Sequence, residues 1–267
     1  MLRPAVLSLS VEDNLAPKLE WLQTRLDLDA AQLKKVVVAL PSLMGYSVED
    51  NIEPKLAYLE REIGLSRPVL REHVLTTPAI LGYSLEKRYR PRLEACRAAG
   101  VDAKRVLSYA TRADEFFCEI TGIAPEALVA ARESVLSVTA AASRARPPVV
   151  APRRRAFSTR AETTAQNAAD VRDLLRTRLS LTEAELDRVV RREPLGARAT
   201  VEPKLAWLQS RLELDAAQLK KMVVRYPYLL LKSVESMESN CDWLQTRLDL
   251  DAAQLRKMVL RLPPLLG

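Results

Sequence analysis

The sequence predicts an all-α protein, a solenoid of stacked helical hairpins. Three observations carry that reading. The stretch WLQTRLDLDAAQLKKVVVALP at 21–41 returns as WLQTRLDLDAAQLRKMVLRLP at 243–263, with 17 of 21 positions identical. Punctuating residues recur at a fixed period: Ser10, Ser47 and Ser84 are 37 residues apart, as are Pro17, Pro54 and Pro91, and Pro4, Pro41 and Pro78. Helix formers dominate, strand-type alternation is absent, and only 7 of 267 residues are Gly. A single hairpin cannot bury its apolar face alone, whereas stacked hairpins can.

Each unit parses into the same parts. A proline opens helix A at its first turn, where a missing N–H costs nothing: Pro17, Pro54 and Pro203. Leu19, Trp21, Leu22 and Leu26 follow at helical spacing. LDLD then turns the chain, and its second aspartate (Asp29, Asp215, Asp251) is placed to cap helix B. Helix B carries Leu33, Val36, Val37 and Leu40 on one face, and Pro41 stops it. A short connector, SLMGYSVED, expected to hold one 3₁₀ turn, leads to the next unit.

The first block holds three such units. In the second, Trp207 and Trp243 are 36 apart, as are Pro227 and Pro263. A weaker unit, LLRTRLSLTEAELDRVVRREP at 174–194, precedes them with its Leu186 and Pro194 offset by 33. The predicted organisation is a repeat block at 1–120, an Ala/Arg/Ser-rich segment at 121–170, and a second repeat block at 171–267.

The middle segment stands apart. From Ser134 to Ala161 there are six Arg and no acidic residue. That is the composition of an organelle transit peptide, and equally of a disordered basic linker. The first block also begins inside a repeat, and the second ends where a unit should start. These features suggest a junction between the end of one repeat protein and the start of another; a non-functional fragment is the contrasting expectation.

The repeated residues resemble the mitochondrial transcription termination factor (mTERF) family: P-K-L-x-W-L, a Leu-rich turn, L-K-K-V-V, then P-x-L-L and S-V-E. The resemblance covers roughly 2–120 and 171–267. It implies repeats of about 36–37 residues, with two α-helices and a short third helix, curved around a basic groove for nucleic acid. It also implies residence in mitochondria or plastids; we expect the mitochondrion, with the chloroplast as alternative.

Catalytic constellations are missing from the sequence. His73, the one histidine, falls on the apolar face of a helix B. No nucleophile or paired carboxylate accompanies it, and no phosphate-cradling Gly loop occurs. Cys96, Cys118 and Cys241 are isolated, so neither a disulfide framework nor a metal site is expected. The reading is of no enzyme, cofactor, metal or small-molecule substrate, and no apolar run reaches the ~20 residues of a membrane span.

The informative pattern is basic. Net charge is +7 overall. It is zero over 1–120, +3 over 121–170 and +4 over 171–267. In helix B of the second block the pairs Arg188/Arg192, Lys221/Arg225 and Lys257/Arg261 are each four apart and recur in register. No acid lies four residues before Lys221 or Lys257, where Ala217 and Ala253 stand. The equivalents in the first block are Lys35/Ala39 and Glu72/Thr76, so the stripe is expected to stop there. Lys34, Lys220 and Arg256 form an adjacent row, and Arg25, Arg178, Arg211 and Arg247 recur on helix A. Basic rows on rigid bricks suit a phosphate backbone. The expected partner is double-stranded DNA, with a role in transcription or its termination; RNA, or a partner protein held without nucleic-acid contact, are the alternatives. The three Trp are expected between repeats, not as stacking platforms, in a chain with 5% aromatics.

Overall fold

The computed structural model describes residues 11–144, 161–190 and 197–267. Among these lie fourteen α-helices and no strand. The first hairpin is α1 (Ala16–Leu26) and α2 (Ala30–Ala39), the second α3 (Glu53–Ile63) and α4 (Arg67–Thr76). The third is α5 (Arg90–Ala98) and the short α6 (Lys104–Ser108), followed by α7 (Asp114–Thr121) and α8 (Pro125–Arg144). Then come α9 (Ala161–Leu179) with α10 (Glu183–Val190), α11 (Arg198–Arg211) with α12 (Ala216–Arg225), and α13 (Val234–Leu248) with α14 (Ala252–Arg261). A 3₁₀ turn follows helix B in four units, at Pro41–Gly45, Pro78–Gly82, Pro227–Leu231 and Pro263–Leu266.

The LDLD-type turns work as expected. Asp29, Asp215 and Asp251 accept from the backbone N–H three residues on, and Gln32, Gln218 and Gln254 reach back in turn, completing three capping boxes. Helix A ends on a left-handed residue in unit after unit: Asp27, Gly64, Gly100, Ser180, Glu213 and Asp249.

The difference between 37- and 36-residue units lies at one place. In the first block a π-helical turn precedes the helix-A proline, at Val11–Leu15, Val48–Ile52 and Leu85–Tyr89. Such a turn is a helix with one inserted residue. Seven residues separate Ser47 from Pro54, but six separate Ser233 from Ser239 in α13, which is regular throughout. The wider turn lets the chain take a proline without losing an α-helical bond. Pro203 has no such turn and sits inside α11 instead of opening it, which corrects the sequence expectation.

Part of the expected linker is helical. α8 occupies 125–144, burying Leu128 and Val135, seven residues apart on one face, and it packs against α5. Ala-rich composition favours helix, and that apolar pair supplies the face to dock it. Residues 145–160 lie outside the described residues, as does 191–196 with Arg192 and Pro194.

The chain forms two compact units. One comprises Met1–Gln23, Asp29–Gly45 and Arg155–Gly267; the other comprises Thr24–Leu28 and Tyr46–Arg154. The boundaries differ from the expected division near 120 and 170. In the first unit α2 packs against α13, and the Pro41–Gly45 turn packs against α14. The near-identity of 21–41 and 243–263 is the reason: bricks with the same surfaces stack whatever their order in the chain. Leu19, Leu22, Leu33 and Val36 therefore share a unit with Leu219, Met222, Leu244, Leu255 and Met258, all buried. In the second unit Leu56, Leu59, Leu70, Tyr89, Leu93 and Phe117 are buried. No helix of the described residues is long and apolar enough to cross a membrane.

Candidate nucleic-acid interface

The basic residues sort into four sets by what they touch. The first holds the repeat itself together. The lysine of P-K-L, buried at Lys18 and Lys55 and half-buried at Lys204, points at its own 3₁₀ turn. Lys18 donates to the carbonyl of Met44, Lys55 to that of Leu81 and Lys204 to that of Leu230, each 26 residues on. Lys18 and Lys55 also reach Asn14 at 2.9 Å and Asn51 at 3.1 Å. Asn240 takes the position in α13 and donates to Leu265. Arg92 takes it in α5, fully buried, reaching the carbonyls of Tyr109 and Arg112 and the carboxylate of Asp114. Burial pushes the Lys55 ammonium down to about 8, and moves Lys204 the same way against the opposing pull of Glu235.

The helix-A arginines bridge successive bricks. Arg178 donates to Gln209 at 3.2 Å, Arg211 to Gln245 at 2.7 Å, Arg247 to Gln23 at 3.3 Å, and Arg25 to Glu60 at 2.7 Å. The acceptor occupies one repeat position each time. Arg211 also pairs with Glu238 and Asp242, and Arg25 with Glu53. Glu60 is held below the ordinary carboxylate range, chiefly by its hydrogen bond from Arg25. Trp207 donates to Glu238 of the next helix A at 2.7 Å, the inter-repeat role expected of it.

The adjacent row forms a second ladder. Lys220 donates to the carbonyl of Ser180, Arg256 to that of Glu213 and Lys34 to that of Asp249. In the other unit Arg71 holds the carboxylate of Asp27 at 3.1 Å. Every acceptor residue is the left-handed one ending a helix A. Lys34, a sequence candidate for phosphate contact, is thus engaged by the protein, as are Arg178, Arg211 and Arg247.

The fourth set is different. Arg188, Lys221, Lys257 and Lys35 are exposed and have no hydrogen-bond or carboxylate partner among the described residues. They occupy one position of helix B in α10, α12, α14 and α2, and those helices belong to one compact unit. Arg188, Lys221 and Arg225 line one cleft, with Lys220, Glu185, Ala217 and Val224. Arg225 lies over the Tyr226 ring at 5.4 Å, and Arg261 donates to the carbonyl of Ala39 at 3.2 Å, yet both are exposed. Helix-dipole stabilisation accounts for Arg225 and Arg261, which sit in last turns, but not for Lys221 and Lys257.

Helical periodicity in the sequence places Lys221 and its counterparts on one row, and the other roles are not legible there. The recurring P-K-L marks the lysine, but nothing in its spacing points to a carbonyl 26 residues on. The row expected to stop at the second block continues to Lys35, which α2 places in that compact unit. Cys96, Cys118 and Cys241 are free and buried, and burial pushes their thiols up, to about 11 for Cys96 and about 12 for Cys241. His73 is partly exposed on α4.

Stacked two-helix bricks with a recurring unneutralised cationic row define a helical-repeat protein of the α-solenoid class. A family model described as mTERF matches residues 1–115, which supports membership of the mTERF family for that block. Members of this family are organellar, and the family suggests a nucleic-acid-binding, transcription-related role. A search of curated proteins finds no match.

Proposed function

We propose that this chain binds double-stranded DNA in an organelle and acts on transcription or its termination, without catalysing a reaction. One observation carries the reading. The protein uses its helix-A arginines and the 220 row to hold itself together, yet leaves Arg188, Lys221, Lys257 and Lys35, in register, without partners among the described residues. Four unpaired cations on rigid, stacked helices lose little entropy on meeting a phosphate backbone. A regular duplex offers charge at regular intervals, and the scarcity of exposed aromatics disfavours single-strand stacking. Phosphate contacts position a protein without reading sequence, so target choice lies elsewhere. We assign the mitochondrion as compartment, with the chloroplast as alternative; import into isolated organelles separates them.

The test is binding of the purified chain to labelled duplex DNA and labelled structured RNA across a salt series. Beside it runs a variant with Lys221, Arg225, Lys257 and Arg261 changed to Glu. Duplex binding that weakens with salt and is lost in the variant supports the proposal. Preference for RNA with the same losses moves the function to RNA. Absence of binding to either, from a chain that melts cooperatively, favours a protein scaffold.

A further inference from the structure

The unit containing Tyr46–Arg154 carries a face unlike the cationic row. Of the six exposed large hydrophobics among the described residues, five fall between Phe116 and Val138. Ile120 is 43% exposed on α7, and Val129 is 52% exposed on α8. Between these helices runs a groove of about 620 Å³. Its floor is buried Cys118, Ile123 and Leu128. α8 is the last described helix of this unit, and its Val129 and Leu136, seven apart, share an exposed stripe.

The rim is acidic. Glu115 and Glu119 are four apart on α7, and Glu126 and Glu133 are seven apart on α8. All four are exposed and have no ion-pair partner among the described residues. The one cation lining the groove, Arg132, is tied to Asp114, which also holds Arg92. So an apolar floor is lined by Glu115 and Glu119, with Glu126 and Glu133 exposed on the neighbouring helix α8, in a chain whose net charge is +7.

We propose that the α7–α8 groove is a docking site for a basic amphipathic helix of a partner protein. Two adjacent helices accept a third in the groove between them. Apolar residues at i, i+3, i+4 and i+7 of the incoming helix cover Cys118, Leu128 and Val129, while Lys or Arg at its flanks meet Glu115, Glu119, Glu126 and Glu133. This is a protein-binding function separate from the cationic row, and it does not depend on nucleic-acid binding.

The probe is a fluorescein-labelled Leu/Lys peptide of about five helical turns, ~18 residues, with Leu at amphipathic spacing. Its anisotropy is titrated with the full chain, beside a scrambled peptide of the same composition. Two variants are compared, Val129→Asp, and Glu115→Lys with Glu119→Lys; these positions line the groove and are exposed, and circular dichroism checks that the helices persist. The expected result is saturable binding weakened about tenfold or more by either variant and by scrambling. Equal binding of the scrambled peptide, indifference to both variants, or no binding overturns the proposal. So does concentration-dependent dimerisation that Val129→Asp abolishes, which would make a second copy of the chain the occupant.

Discussion

Lys34 on α2 donates to both the main-chain carbonyl and the carboxylate of Asp249, a residue 215 positions away at the end of α13. Lys220 with Ser180, and Arg256 with Glu213, make the same contact between bricks that are neighbours in sequence. Arg247 and Gln23 repeat, on the helix-A side, the bond of Arg211 to Gln245. The first hairpin is therefore joined to the last by the ladder that joins consecutive units.

Reversing the charge at that joint loosens the hairpin locally. Lys34→Glu sets a carboxylate against Asp249 and removes the donor to its carbonyl, at a cost of about 1–2 kcal/mol. Native-state hydrogen exchange should show the α2 amides of Leu33, Val36 and Val37 exchanging about ten times faster, with those of α3 unchanged. Equal acceleration throughout would mean the joint is not a local one.

Lys55 gives a pH signature. It is 2% exposed, and burial pushes it down to about 8 from 10.5. Between those values the unfolded chain binds more protons than the native one, so the Lys55 contribution to stability rises with pH. Tyr58, pushed up to about 12 by burial, acts in the opposite direction above its ordinary value. The comparison with Lys55→Met isolates the lysine. Denaturant melts should show the wild type gaining on the order of 2 kcal/mol over this variant between about pH 7.5 and about pH 10.5. A constant difference would show that Lys55 is solvated in the native state.

Pro203 lies in the interior of α11, whereas Pro54 opens α3 just after a π-helical turn. A proline in a regular helix loses a bond and crowds the carbonyl four residues back. Pro203→Ala is expected to raise stability by about 1 kcal/mol or more, and Pro54→Ala to change it by less than about 0.5 kcal/mol. Thermal melts of the two variants check the contrast; equal effects would remove the role assigned to the wider turn.

Much of this architecture is legible in the chain. The hairpins, the Asp29, Asp215 and Asp251 caps and the proline stops follow from local chemistry, because caps and breakers act within one turn of themselves. The position of Lys221 and Lys257 on one face follows from helical periodicity alone. The roles of Lys34, Arg211 and Arg247 do not, since each is decided by an acceptor on another brick. The helix at Pro125–Arg144 was hidden by composition that also fits a transit peptide. Nor does brick order follow from sequence: two nearly identical 21-residue stretches state that the bricks are interchangeable, not which one packs against which.

The central claim is that Lys221, Lys257 and Lys35 form one phosphate-binding row. The slope of log binding constant against log salt for duplex DNA tests it most directly, measured for the wild type and for Lys221→Ala, Lys257→Ala and Lys35→Ala. Each removed phosphate contact should flatten the slope by about 1, with affinity falling alike for unrelated duplex sequences. Lys34→Ala, which removes a cation already engaged by Asp249, should leave the slope within about 0.3 of the wild type by the same relation. A slope unchanged by all three substitutions, or flattened as much by Lys34→Ala as by Lys35→Ala, would contradict the account.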